Sequence, residues 1–151
     1  LGLRWVERRA DDGLSRAAGD ALAKVAALLP GELRHRMQDS ALLVGPGWDK
    51  PQVVDLEVLR HAIRSERKLR IEYRDQKGER STRVIWPIAI AFFESTRLVV
   101  AWCELRRDFR SFRADRIEAG DSLDERYPRP RALLEKEWLD TLLPESVSVE
   151  R

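Results

Sequence analysis

The sequence predicts a mixed α+β protein: a small antiparallel β-barrel, preceded by a helical linker and followed by a C-terminal helix. Three observations lead there. Apolar residues recur at steps of three and four in the first third of the chain and again after residue 130, the period of an amphipathic helix. From residue 68 onward they alternate with charged residues, the period of a half-buried strand. Turn residues then divide this stretch into five short consecutive strands, and closure into a barrel protects strand edges.

The elements follow in order. Leu1, Leu3 and Val6 keep helical spacing with no capping residue before them, so they read as the middle of a helix in a fragment of a longer protein. Residues 12–29 carry an apolar stripe of Leu14, Ala18, Leu22, Val25 and Leu29. Asp11 or Asp12 supplies an N-cap, and Pro30-Gly31 ends the helix. Residues 32–38 make a short polar helix that completes a helical hairpin with 12–29, suited to packing or dimerisation. Gly45-Pro46-Gly47 and Pro51 mark residues 40–53 as a linker. The Gly45–Lys50 stretch lacks the spacing of a phosphate loop. Asp55 can cap a helix over 56–66, with Leu56, Leu59 and Ile63 on one face. The expected division is a helical linker or dimerisation segment at 1–50, a β domain at 51–145 and a disordered tail at 146–151.

In 68–74, Leu69, Ile71 and Tyr73 alternate with Arg70, Glu72 and Arg74. Asp75-Gln76-Lys77-Gly78 is a hairpin turn with a glycine available for positive φ. A long second strand spans 80–93, and Pro87 within it implies an edge or a bulge. Glu94-Ser95-Thr96 turns into a third strand, 97–104, with Leu98, Val100 and Trp102 on one face. A fourth strand follows at 109–113 and a fifth at Ile117–Leu123. A helix from Pro130 to Leu143 stacks Leu134, Trp138 and Leu142 at steps of four, to cover the sheet.

Composition excludes several classes. At 151 residues the chain holds one domain, or one domain and a small accessory piece. With 43% hydrophobic and 36% charged residues it has material for a core and is not a disordered chain. No run of apolar residues reaches membrane-spanning length, so no membrane partner is expected. Arg4, Glu7, Arg8 and Arg9 interrupt the N-terminus, which does not read as a signal peptide. A single cysteine, Cys103, rules out a disulfide framework and a multi-cysteine metal site, and fits reducing cytoplasm. Its neighbour Glu104 disfavours a thiolate. His35 and His61 lie on separate helices outside the strands, which leaves no Ser/His/Asp arrangement and no metal set. No catalytic residue, metal or cofactor is expected.

The basic residues are 23 Arg against 5 Lys, with no Asn anywhere. Codon usage in a GC-rich genome explains such a ratio, so placement must carry the argument. Between Arg97 and Arg116 there are six Arg against Glu104, Asp108 and Asp115, a local charge of 6 − 3 = +3 where the whole chain has +2. Arg107, Arg110, Arg113 and Arg116 recur every third residue, with Phe109 and Phe112 between them. Strand spacing puts Arg110 on the face of Phe112, beside apolar surface where a guanidinium binds anions more tightly than in bulk water. The other reading is a solvated strand with Asp108 and Asp115 as partners. Tyr73 reads either as a stacking wall or as a core aromatic. Trp86 and Trp102 read as packing.

The run Arg110 to Ile117, R-x-F-R-x-D-R-I, resembles the signature of WYL domains. Ile71-Glu72-Tyr73, the R-x-x-x-P of Arg83 to Pro87, and Val100-Ala101-Trp102-Cys103 extend the resemblance, which covers about residues 55–145. The helical hairpin is similar to the segment that joins such domains to a winged helix-turn-helix. The resemblance implies an SH3/Sm-like barrel that senses a ligand inside a cytoplasmic bacterial transcriptional regulator, often a homodimer. It implies a nucleotide or single-stranded nucleic acid as the anionic effector. DNA would be bound through an N-terminal domain absent from this chain. It places Tyr73, Arg83, Arg110, Arg113 and Arg116 at the ligand groove. One departure stands out: the family's Trp-Tyr-Leu aligns with Arg97-Leu98-Val99, so the aromatic pair is missing and Arg97 adds a charge there. A dimerisation or protein-interaction module with internally paired arginines is the alternative.

Overall fold

A computed structural model describes residues 1–38, 44, 54–93 and 96–142. Most of the expected linker at 40–53, Glu94 and Ser95 of one turn, and the expected disordered tail at 146–151 lie outside the described residues. The chain divides into two units, Leu1–Asp49 and Lys50–Arg151.

The first unit holds α1 (Gly2–Arg9), α2 (Asp12–Leu28) and α3 (Gly31–Gln38). α2 starts at Asp11, whose carboxylate accepts from the backbone N–H groups of Gly13 at 3.1 Å and Leu14 at 3.2 Å. Those are two of the donors a helix start leaves unsatisfied. The hairpin partner of α2 differs from expectation: α2 packs mainly along α1, and Ser15 Oγ donates to the Glu7 carbonyl. α3 meets α2 at its end, where Arg34 donates to the carbonyls of Ala26 at 2.9 Å and Leu29 at 3.2 Å. Ala18 is the one buried apolar residue among the described residues of this unit.

The second unit holds α4 (Leu56–Arg64), β1 (Arg67–Arg74), β2 (Arg80–Phe92), β3 (Arg97–Cys103), β4 (Asp108–Arg113), β5 (Ile117–Arg126) and α5 (Arg131–Leu142). A short 3-10 turn, Ala114–Arg116, joins β4 to β5. Asp55 caps α4, accepting from Glu57 N at 2.8 Å. The buried face of α4 is Leu56, Leu59 and Ala62, whereas Ile63 is only half-buried. The helix ends at Arg64, two residues early, because Glu66 takes φ 53° and starts the turn into β1.

The strands form one antiparallel sheet of order β4-β3-β2-β1-β5. Among the described residues β4 and β5 do not pair, so the hydrogen-bonded ladder is an open sheet and not the closed barrel that five consecutive strands led us to expect. The sheet nevertheless curls strongly. Two strands separate β1 from β4, about 14 Å in a flat sheet. Yet the Tyr73 ring of β1 meets the Phe112 ring of β4 edge-on, with centroids 5.2 Å apart.

Both faces of the sheet are covered. On the concave face, Leu69, Ile71, Ile85, Val99, Cys103 and Ile117 pack against Leu59 and Ala62 of α4. On the other, Trp86, Ile88 and Val100 pack against Tyr127 and Leu134, with Trp138 alongside. A bulge in β2 makes this possible. The register against β3 shifts between Pro87 and Ala89. Trp86 and Ile88 therefore face α5, while Ile90 and Phe92, which would otherwise share their side, join the concave core. Of the two options Pro87 left open, the bulge is the one observed, on a strand paired on both sides. The expected Leu98–Val100–Trp102 face is the α5 side of β3, and the deeper core is its opposite face, Val99, Ala101 and Cys103. On α5, Leu134 is buried and Trp138 half-buried, but Leu142 is 58% exposed. Among the described residues no helix is long and apolar enough to cross a membrane.

Candidate functional site

The two hairpin turns Asp75–Glu79 and Glu104–Arg107 sit at the same end of the sheet, because β1 and β3 both run toward it. Glu104 N donates to the Val84 carbonyl at 3.1 Å and holds the second turn against β2. In the first turn, Asp75 Oδ1 accepts from Lys77 N at 2.8 Å and Glu79 N at 2.9 Å, and Gly78 takes φ 85°. Gly78 is there because a side chain strains that conformation. In the second, Arg107 takes φ 51° and its N–H closes onto the Cys103 carbonyl at 2.8 Å.

Between these turns lies a cavity of about 320 Å³. Tyr73, Phe112 and Cys103 give it an apolar base. Arg83, Arg106 and Arg110 bring positive charge from β2, the second turn and β4. Asp75, Ser81 and Ser111 complete the lining. Three cations face one carboxylate. Arg83 Nε donates to Ser81 Oγ at 3.0 Å. Arg110 pairs with Asp108 at 3.2 Å, but both side chains are more than half exposed, so that pair is weak. Arg106 has no hydrogen bond or ion pair among the described residues. The guanidinium groups thus keep donors for an anion, next to aromatic rings that lower the local dielectric.

Of the residues expected at the groove, Tyr73, Arg83 and Arg110 line this cavity, and three others do not. Arg113 is held by Asp115 through two hydrogen bonds, Nε to Oδ1 at 3.0 Å and Nη2 to Oδ2 at 2.8 Å. That contact raises its pKa, against the opposing effect of burial. Arg97 starts β3, at the strand end remote from the cavity, with its guanidinium 5.9 Å from the Phe92 ring centroid. Arg116 is half-buried in the 3-10 turn and does not line the cavity. The sequence reading missed Arg106 and Asp75. Both sit in turns, and only the strand register shows that the turns share one end.

Trp86 and Trp102 stack at 6.0 Å on the opposite face, away from the cavity. His35 and His61 are exposed. Among the described residues no three His, Cys, Asp or Glu side chains come together as a metal site.

Residues 55–121 match the model of the WYL domain. That segment is similar to WYL domains. The match starts at the cap of α4 and runs through the first half of β5, so the cavity lies wholly within it. No curated protein matches the chain. Among solved structures it is similar to the proteasome accessory factor B/C (PafBC) of Arthrobacter aurescens, with 28% identity and a TM-score of 0.46. That similarity covers 48% of this chain and 12% of the other.

Proposed function

We propose that this segment is a WYL domain and the ligand-sensing part of a DNA-binding transcriptional regulator, and that its effector is an anion held in the cavity between the two hairpin turns. The observation that carries the reading is the convergence of Arg83, Arg106 and Arg110 on one cavity beside Tyr73, with a single carboxylate opposite. A nucleotide or a single-stranded nucleic acid suits it: the arginines take phosphate, and Tyr73 offers a ring for a base. Arg97, Arg113 and Arg116 are then peripheral. DNA contact belongs to a helix-turn-helix domain preceding these residues, in a cytoplasmic homodimer. The strongly curled sheet supports an SH3/Sm-like barrel as the finer description of the fold. The role is regulatory and not catalytic.

For such a domain to act as a switch, the effector must bind one arrangement of the regulator better than the other. The test is titration of the chain with nucleotides and short oligonucleotides at several salt concentrations, repeated with Arg106→Ala and Arg110→Ala. Each substitution should weaken binding about tenfold or more, the worth of one charge-assisted hydrogen bond. Unchanged affinity in both variants rejects the site.

A second reading, an interaction module without a small ligand, draws on different residues. Arg113 is neutralised by Asp115, and Leu133, Leu139 and Leu142 of α5 are each about half exposed. Sedimentation separates the two readings: this one requires association that depends on those leucines.

A further inference from the structure

An anion site alone does not account for Asp75. It lines the same cavity as the three arginines, yet among the described residues it has no ion pair. Its Oδ1 is engaged by the backbone of its own turn at 2.8 and 2.9 Å, which fixes where the carboxylate sits. A fixed negative charge on the wall of a cationic cavity repels an anionic group placed near it and attracts a cation or a hydrogen-bond donor. The cavity is therefore not uniformly positive. It has a cationic side built by β2, β4 and the second turn, and an anionic corner built by the first turn.

We propose that the cavity takes a bipolar ligand, in which an anionic group meets Arg83, Arg106 and Arg110 while an amine on the same molecule meets Asp75. The inference rests on the anion-site reading above and adds to it a selectivity for amine-bearing anions. The volume, about 320 Å³, is at the small end of small-molecule pockets, so both groups belong to one compact molecule. The apolar base of Tyr73 and Phe112 suits the carbon skeleton between them.

Two probes isolate the amine. Phosphoethanolamine and ethyl phosphate share the phosphate and the two-carbon chain, and only the first carries an ammonium group. Each is titrated into the full chain and followed by NMR shifts. Phosphoethanolamine should bind about tenfold tighter, the worth of one charge-assisted contact. Asp75→Asn keeps an oxygen for the Lys77 and Glu79 N–H groups and removes the charge. It should abolish the preference and leave ethyl phosphate bound as well or better. Arg106→Ala should weaken both probes. Equal affinity of the two probes in the parent, or a preference that survives Asp75→Asn, overturns the bipolar inference and leaves the anion site standing. Absence of binding by either probe, or binding indifferent to Arg106→Ala, overturns the anion site and this inference with it.

Discussion

Arg110 and Arg113 are three residues apart on one strand and have opposite surroundings. Arg113 makes a bidentate contact with Asp115, with side chains 32% and 16% exposed. Removing it leaves a largely covered carboxylate without that partner, at a cost of about 1 kcal/mol after allowance for solvent screening. Arg113→Ala should therefore lower the melting temperature by a few degrees. Arg110→Ala should leave it unchanged, since the pair with Asp108 is open to water. Parallel thermal melts decide, and a larger drop for Arg110→Ala would reverse the assignment. Tyr127 supplies a second contrast. Its buried hydroxyl donates to the Pro87 carbonyl at the bulge, and burial drives its pKa up. Tyr127→Phe keeps the ring against Trp86 and should cost about 1–2 kcal/mol in urea unfolding, because the Pro87 oxygen loses its donor. A cost near zero would mean that water replaces the hydroxyl.

At the scale of elements, one cluster ties β1, β2, β5 and the second turn together. Glu104 accepts from Trp86 Nε1 at 2.8 Å and from Lys68 Nζ at 2.9 Å, and Lys68 also reaches Glu125 at 2.8 Å. Burial pushes the Glu104 carboxyl up, but its hydrogen bonds to Lys68 and Trp86 outweigh burial and hold it below its ordinary 4.5. Hydrogen bonds to Glu125 and Glu104 hold Lys68 above its ordinary 10.5. The depressed carboxylate stabilises the fold above pH 4.5, and this is lost as pH falls through its lower folded value. The raised ammonium stabilises it below pH 10.5, and this is lost as pH rises through its higher folded value. Between those limits the contribution is flat. Glu104→Gln should be less stable than the parent near neutral pH and should converge on it as pH drops below 4.5, read from urea midpoints. Parallel acid limbs would show that other carboxylates set the acid transition.

For the whole molecule, every residue of both cores lies between Val54 and Leu134. Residues 50–151 made alone should therefore unfold in one cooperative transition. Residues 1–49 alone should show none, because Ala18 is their one buried apolar residue among those described. A broad, non-cooperative melt of 50–151 would show that the second unit depends on the first. Binding of an anionic effector should weaken severalfold between about 50 and about 200 mM salt, because two of its partners, Arg106 and Arg110, are exposed.

The sequence by itself determined the elements whose signals are local. The cap at Asp55, a cap within the pair Asp11-Asp12, the glycine at 78 and the alternation of Leu69 and Ile71 each depend on a few neighbouring residues. It also carried the resemblance to WYL domains, since R-x-F-R-x-D-R-I and its upstream partners lie within the matched segment. Tertiary structure decided whatever depends on pairing between distant residues. It left β4 and β5 unpaired, and it moved Ile90 and Phe92 to the concave face through a one-residue slip that no period-2 reading contains. It also sorted the arginines. Their spacing of three treats Arg107, Arg110, Arg113 and Arg116 alike, but strand alternation puts Arg110 and Arg113 on opposite faces of β4, and the 3-10 turn after it brings Asp115 to Arg113 while Arg110 lines the cavity. Asp75 and Arg106 are 31 positions apart and line one cavity, because antiparallel register returns every second turn to the same end of the sheet.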